Sequence, residues 1–211
     1  MVSGLRVRRG IGALAGVLAL GAVAPRHAWA SNIVISDGTF STWKFGSYVA
    51  GTGNPTATIN VDTSQGSPAP ALENTTAAGT GGTAGGYGYD AGTPINADLN
   101  QAKFTLTIQM KSGAGDRGLG QDIHLLVVQD GGYFISYRHR TTGEARRTWK
   151  TVTFHGRLVD KAFNNLYLGA SGPNFKNPKA TAYFGLYAQN SDTGEIVRDF
   201  YDNYTLIITP K

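Results

Sequence analysis

Residues 103–111 read KFTLTIQMK and residues 123–140 read IHLLVVQDGGYFISYRHR. In the first stretch Phe104, Leu106, Ile108 and Met110 alternate with Thr105, Thr107 and Gln109. That is the period-two pattern of a strand with one buried face. In the second, Ile123 to Gln129 is apolar on both faces and reads as a central strand. Asp130-Gly131-Gly132 then turns the chain into a partner strand over Tyr133 to Arg140, because Asp-Gly supplies the backbone a tight hairpin needs. Working outward, Thr56–Asp62, Ala69–Asn74, Trp149–His155, Leu166–Ala170, Ala182–Gln189 and Tyr201–Thr209 carry the same signature, and no window shows apolar residues at helical spacing. Roughly ten strands at this spacing predict an all-β chain with two packed antiparallel sheets, most simply a jelly roll, with an up-and-down barrel as the alternative. Thr75 to Thr93 is rich in Gly, Ala and Thr. It reads as a surface loop, either mobile or arched over a binding face with Tyr87 and Tyr89 as contacts.

The amino terminus belongs to export rather than to the fold. Arg6, Arg8 and Arg9 precede an apolar run from Ile11 to Ala24, and Ala28-Trp29-Ala30 offers a small-x-small cleavage site. This is the pattern of a secretory signal, so residues 1–30 are expected to be removed and residues 31–211 to form one sandwich domain. The run is short for a membrane span and no second one follows, so no membrane insertion is expected after cleavage. The protein is expected outside the cytoplasm, in the periplasm or beyond.

Cleavage changes the charge. The full chain has 19 Lys+Arg against 14 Asp+Glu, but Arg6, Arg8, Arg9 and Arg26 lie in the signal, leaving 15 against 14. A nucleic-acid partner requires a basic excess on the surface, and the mature chain has none. The chain also has no cysteine, so its stability must come from the core rather than from disulfides.

Several chemistries are excluded by spacing. His124, His139 and His155 are scattered and do not make a zinc site. No serine sits in a nucleophile elbow, no glycine-rich segment has a phosphate-cradle context, and no EF-hand loop is present. What remains is the face opposite the core. Alternation in Ala182–Gln189 puts Tyr183, Tyr187 and Gln189 together; Tyr167 lies outside its strand; Gln109, Thr105 and Thr107 line another polar face, and His124 could join them. Tyrosines, amides and hydroxyls suit a sugar, whose C–H face stacks on a ring while its hydroxyls hydrogen-bond. The same tyrosines would also serve simply to cover a sheet. A basic cluster of Arg138, His139, Arg140, Arg146, Arg147 and Lys150 beside Trp149 reads either as a solvated hairpin or as a patch for carboxylate or sulfate groups.

Two families share pieces of this sequence. Asp37-Gly38-Thr39-Phe40 with Trp43, the strand at Ala69 to Glu73, Trp149 ahead of Val152, and Tyr201-Asp202-Asn203-Tyr204 resemble the galactose-binding-like jelly rolls that serve as carbohydrate-binding modules. That resemblance implies a structural calcium held by Asp202 with Asp37 as partner, although Ser41 stands where the family usually has glutamate. Asp122-Ile123-His124 and Gly185-Leu186-Tyr187-Ala188-Gln189 resemble the two cleft strands of alginate-lyase-type polysaccharide lyases. That second resemblance implies His124 as base and Tyr187 as acid in a β-elimination. The sequence departs from it at Asp122, which replaces a carboxylate-neutralising amide, and in lacking the lysine-bearing and early arginine motifs.

The combined reading is an exported sandwich that binds a polysaccharide without turning it over and requires no cofactor. It would use Tyr167, Tyr183, Tyr187, Gln189 and Gln109, with Tyr87, Arg138 and Arg140 at the rim. A polysaccharide lyase and a structural envelope or matrix protein are the alternatives, and the oligomeric state is left open.

Overall fold

The structure is a computed structural model that describes residues 31–113, 121–141, 147–167, 172–191 and 195–211. The expected export signal lies outside these residues. Alternation does most of the folding work. The strands are β1 (Ile33–Asp37), β2 (Trp43–Gly51), β3 (Thr56–Asp62), β4 (Ala71–Ala77), β5 (Gly82–Asp90) and β6 (Lys103–Ser112). They continue with β7 (Asp122–Gln129), β8 (Gly132–Thr141), β9 (Lys150–Arg157), β10 (Phe163–Asn165), β11 (Ala182–Ser191) and β12 (Ile196–Thr209). One sheet runs β3-β4-β12-β6-β9, with β1 pairing the far half of β12; the other runs β10-β8-β7-β11-β5-β2. Every pairing is antiparallel. The chain crosses repeatedly between the sheets, giving the expected jelly-roll sandwich. Among the described residues no helix is long and apolar enough to cross a membrane.

The core fills the space between the sheets. Phe104, Leu106, Ile108 and Met110 of β6 face Ile123, Leu125 and Val127 of β7 and Phe184 and Leu186 of β11, all buried in one cluster. Asp130 (φ 51°) and Gly131 (φ 77°) make the β7–β8 turn with both central residues left-handed, as a two-residue hairpin of this twist demands. On β12 an extra residue between Asp202 and Thr205 breaks the register with β6. This bulge, with Asn203 at φ 50°, lets both Tyr201 and Tyr204 turn inward, where strict alternation would separate them.

Three expectations need correction. Thr75–Thr93 is not a loop: residues 75–77 end β4 and Gly82–Asp90 form β5, which lies inside the second sheet between β11 and β2. The strand expected at Leu166–Ala170 sits earlier, at Phe163–Asn165, and Tyr167 follows it in a turn; Leu168 and Ala170 lie outside the described residues. β1 and β2 were not foreseen, since β2 has glycine and serine where an apolar partner would mark a strand.

Candidate functional site

The outer face of the second sheet is a tyrosine layer built on glycine. Register aligns Lys44, Tyr89, Gly185, Leu126 and Ile135 in one row across the sheet. The next row is Gly46, Tyr87, Tyr187 and His124, and the third is Tyr48, Gly85, Gln189 and Asp122. Gly46 and Gly85 each leave a gap that a neighbouring ring fills. A Cβ placed on Gly85 would sit 2.5 Å from the Tyr187 ring, and one on Gly46 would run into the Tyr87 ring. The rings therefore lie down over the sheet instead of standing up from it, and they close on one another.

Tyr187 is fully buried and Tyr87 nearly so, together with Leu126, Val128 and Leu166; Tyr48, Tyr89, Tyr133, Tyr183 and Ile135 pack around them half-buried. Tyr167 arches over from the turn after β10. Its ring meets Tyr48 at 5.5 Å, Tyr133 at 5.5 Å and Tyr87 at 6.4 Å, edge to face, the favoured aromatic geometry. Its hydroxyl donates to the Ser47 carbonyl at 3.1 Å and lies 3.1 Å from the Tyr87 hydroxyl. Tyr167 remains 46% exposed. Burial pushes the Tyr87 phenol up to about 12, with the Tyr167 hydroxyl adding to it. Burial likewise raises Tyr187, Tyr89 and Tyr133. These four stay neutral at physiological pH, and the half-buried Tyr89 and Tyr133 present hydroxyls as donors and acceptors.

The sequence-expected residues divide between places. Tyr167, Tyr183, Tyr187, Gln189 and Tyr87 do come together here. Tyr187 is corrected from exposed to buried, because the glycine rows let its ring sink; its hydroxyl donates to Gln189 Oε1 at 2.9 Å. Gln109 is on the other sheet, where its Oε1 accepts from Asn203 Nδ2 at 3.1 Å, so it takes no part in this face. Arg140 is exposed at the far edge on β8; Arg138 is on the same strand with its side chain outside the described residues, as is Arg146. Tyr48, Tyr133 and Lys44 complete the face without having been singled out. The Lys44-x-Gly46-x-Tyr48 alternation is the signal that could have found two of them.

His124 and Tyr187 are cross-strand neighbours with ring centroids 5.9 Å apart. His124 Nδ1 donates to the Ser136 carbonyl at 2.7 Å, which leaves Nε2 as a bare acceptor. Nε2 is buried and has no partner among the described residues. Burial lowers the imidazole pKa below its ordinary 6.5, reinforced by the nearby His139 and opposed by the Ser136 bond. The folded state therefore takes up this proton less readily than the unfolded chain, and stability falls as pH drops below about 6.5. His124→Asn, which can keep the bond to Ser136, is expected to flatten the decline of melting temperature between pH 6.5 and 5. Equal slopes in both proteins would contradict this.

The calcium implied by resemblance does not fit the residues present. Asp37 Oδ1 accepts from the Thr39 and Phe40 backbone N–H groups and the Thr39 hydroxyl, at 2.7, 2.9 and 2.9 Å. Asp202 is fully buried and accepts from the Ser67 and Asn203 N–H groups, both at 2.6 Å. Beside it, the Asn203 amide donates to the Ser67 carbonyl at 3.0 Å. Asp37 caps its own turn, Asp202 ties the β3–β4 connection to β12 through Ser67, and among the described residues no three His, Cys, Asp or Glu side chains gather. Calcium takes six to eight oxygens, whereas here N–H donors meet both carboxylates.

No family model matches the chain, and no curated protein matches it in sequence. Solved structures do match. A family 11 carbohydrate-binding module from Clostridium thermocellum, in complex with a β-1,3-1,4-mixed-linked tetrasaccharide, is 14% identical over 82% of this chain and 94% of its own, with TM-score 0.49. The xylan-binding module CBM15 is 12% identical over 86% of this chain and 99% of its own, with TM-score 0.49. A β-1,2-glucanase from Parabacteroides distasonis is 17% identical over 78% of this chain but only 22% of its own, with TM-score 0.42. At these identities the likeness concerns the fold alone, and one fold hosts many functions.

Proposed function

We propose that this chain is an exported, non-catalytic carbohydrate-binding sandwich that holds a neutral polysaccharide against the tyrosine layer of its second sheet. The observation that carries this reading is Tyr167, an aromatic ring pinned by two hydroxyl contacts over the layer and still about half open to solvent. Half-buried Tyr48, Tyr89, Tyr133 and Tyr183 extend the same surface. A pyranose laid on such rings covers apolar C–H groups and meets phenol hydroxyls at its rim. The one carboxylate in the three rows, Asp122, lies 3.8 Å from the His139 imidazole and is an acceptor for sugar hydroxyls.

Turnover is disfavoured by the same geometry. A β-elimination needs its acid in contact with the leaving oxygen, and the Tyr187 hydroxyl lies beneath the layer in a bond to Gln189. Export rests on the Arg6–Ala30 pattern. The test is retention in native gels cast with neutral polysaccharides such as xylan and mixed-linkage β-glucan. Tyr167→Ala, at the surface, is expected to fold normally and to lose affinity on the order of ten-fold, the value of one aromatic contact. A wild-type protein that none of these polymers retards would remove the proposal.

A further inference from the structure

The open side of the sandwich, where the edge strands β8 and β9 come together, carries a second surface of different chemistry. A cavity of about 580 Å³ on the β6–β9 side is lined by Lys103, His155 and Arg157. A second, of about 370 Å³, lies between β8 and β9 and is lined by Tyr137, His139, Arg140 and again His155. A smaller apolar hollow of about 140 Å³ touches both Tyr137 and Arg157 and joins them. None of the described residues lining these three cavities is acidic. Asp160, beside the groove, points its carboxylate at the Phe175 N–H instead.

Two features mark the groove. Lys103 and Arg157 stand directly opposite each other in the β6–β9 register, both exposed, and like charges placed so repel. Tyr137 is 56% exposed. It is turned outward by a bulge in β8, where the register with β7 jumps between His124 and Leu126, with Ser136 tucked in to accept from the Leu125 N–H at 3.1 Å. Bulges re-aim side chains in this way. A chain whose mature charges nearly balance has thus gathered cations and one open ring along a single groove.

We propose that this groove binds an anionic saccharide, a uronate- or sulfate-bearing glycan, separately from the tyrosine layer. Guanidinium groups of Arg140 and Arg157 match the planar carboxylate or the sulfate oxygens as forks, Lys103 adds a point charge, and the Tyr137 ring takes the sugar's C–H face. The partner is saccharide rather than nucleic acid because the cations form one short groove with one ring, where a strand of nucleic acid needs a run of both.

The test is native gel retardation in polygalacturonate and in dextran sulfate, with uncharged dextran as control. The wild type is expected to be slowed by at least one of the two anionic polymers and not by dextran. Arg140→Gln/Arg157→Gln is expected to lose ten-fold or more of that affinity, since it removes both charge-assisted forks. It should keep the wild-type melting temperature and its neutral-polysaccharide retention. Lys103→Gln gives a second, milder probe, and Tyr137→Ala reports on stacking. No retardation of the wild type, undiminished retention of the double variant, or equal affinity for a single-stranded DNA oligonucleotide would each overturn the proposal. Loss of neutral-polysaccharide binding with the groove intact would instead strike only the tyrosine layer.

Discussion

Truncation of Tyr187 to alanine is expected to destabilise the fold by about 3–5 kcal/mol, as removal of a fully buried ring does. For a domain of this size that lowers the melting temperature on the order of 10 °C. The ring has no exposure, its hydroxyl bonds to Gln189, and Tyr87, Tyr48 and Leu126 close over it. Tyr187→Phe keeps the packing and loses one hydrogen bond, so it is expected to cost only about 1 kcal/mol. Denaturant melts of the three proteins check both values. A Tyr187→Ala protein as stable as wild type would mean that the ring stands in solvent, as alternation alone suggests, and that the layered face does not exist.

Gly85→Val is expected to destabilise by about 1–3 kcal/mol through overpacking, because its Cβ would sit 2.5 Å from the Tyr187 ring. The more telling quantity is the coupling. In a Tyr187→Ala background the space above Gly85 is empty, so valine there should cost nothing and its strand propensity could even stabilise. A double-mutant cycle is therefore expected to give a coupling of at least about 1 kcal/mol between the two sites. Additive effects would show that glycine at 85 is not what lets the ring lie down.

These two positions also explain what the sequence could and could not reveal. β6, β9 and β11 are legible because each carries its own apolar side chains at period two, as Phe104 to Met110 do; β7 is legible as a run apolar on both faces, and β8 through the Asp130-Gly131 turn that precedes it. β5, GTAGGYGYD, reads as a loop because its apolar cover comes from other strands: Tyr187 lies over Gly85 and Trp43 over Gly88. A strand whose bulk is supplied by its neighbours leaves no periodic trace of its own. Half of the tyrosine face followed from alternation in Tyr183–Gln189, but which strands share a sheet is a matter of pairing, and Gln109 fell on the wrong one. Tyr167 reached the expected face by a turn instead of a strand. The cationic groove was visible only in part, as His139 and Arg140. Lys103, His155 and Arg157 join it through the β6–β9 register, a long-range fact that no local window contains.

The most direct test compares two matched surface tyrosines on one neutral polysaccharide that retains the wild type. Tyr167 and Tyr137 are 46% and 56% exposed, so truncating either leaves the core intact, but only Tyr167 lies on the layer proposed to hold the chain. Affinity gel electrophoresis is expected to show a loss on the order of ten-fold for Tyr167→Ala and none for Tyr137→Ala. Equal retention of the two variants, or loss confined to Tyr137→Ala, would contradict the assignment of neutral-polysaccharide binding to the tyrosine layer.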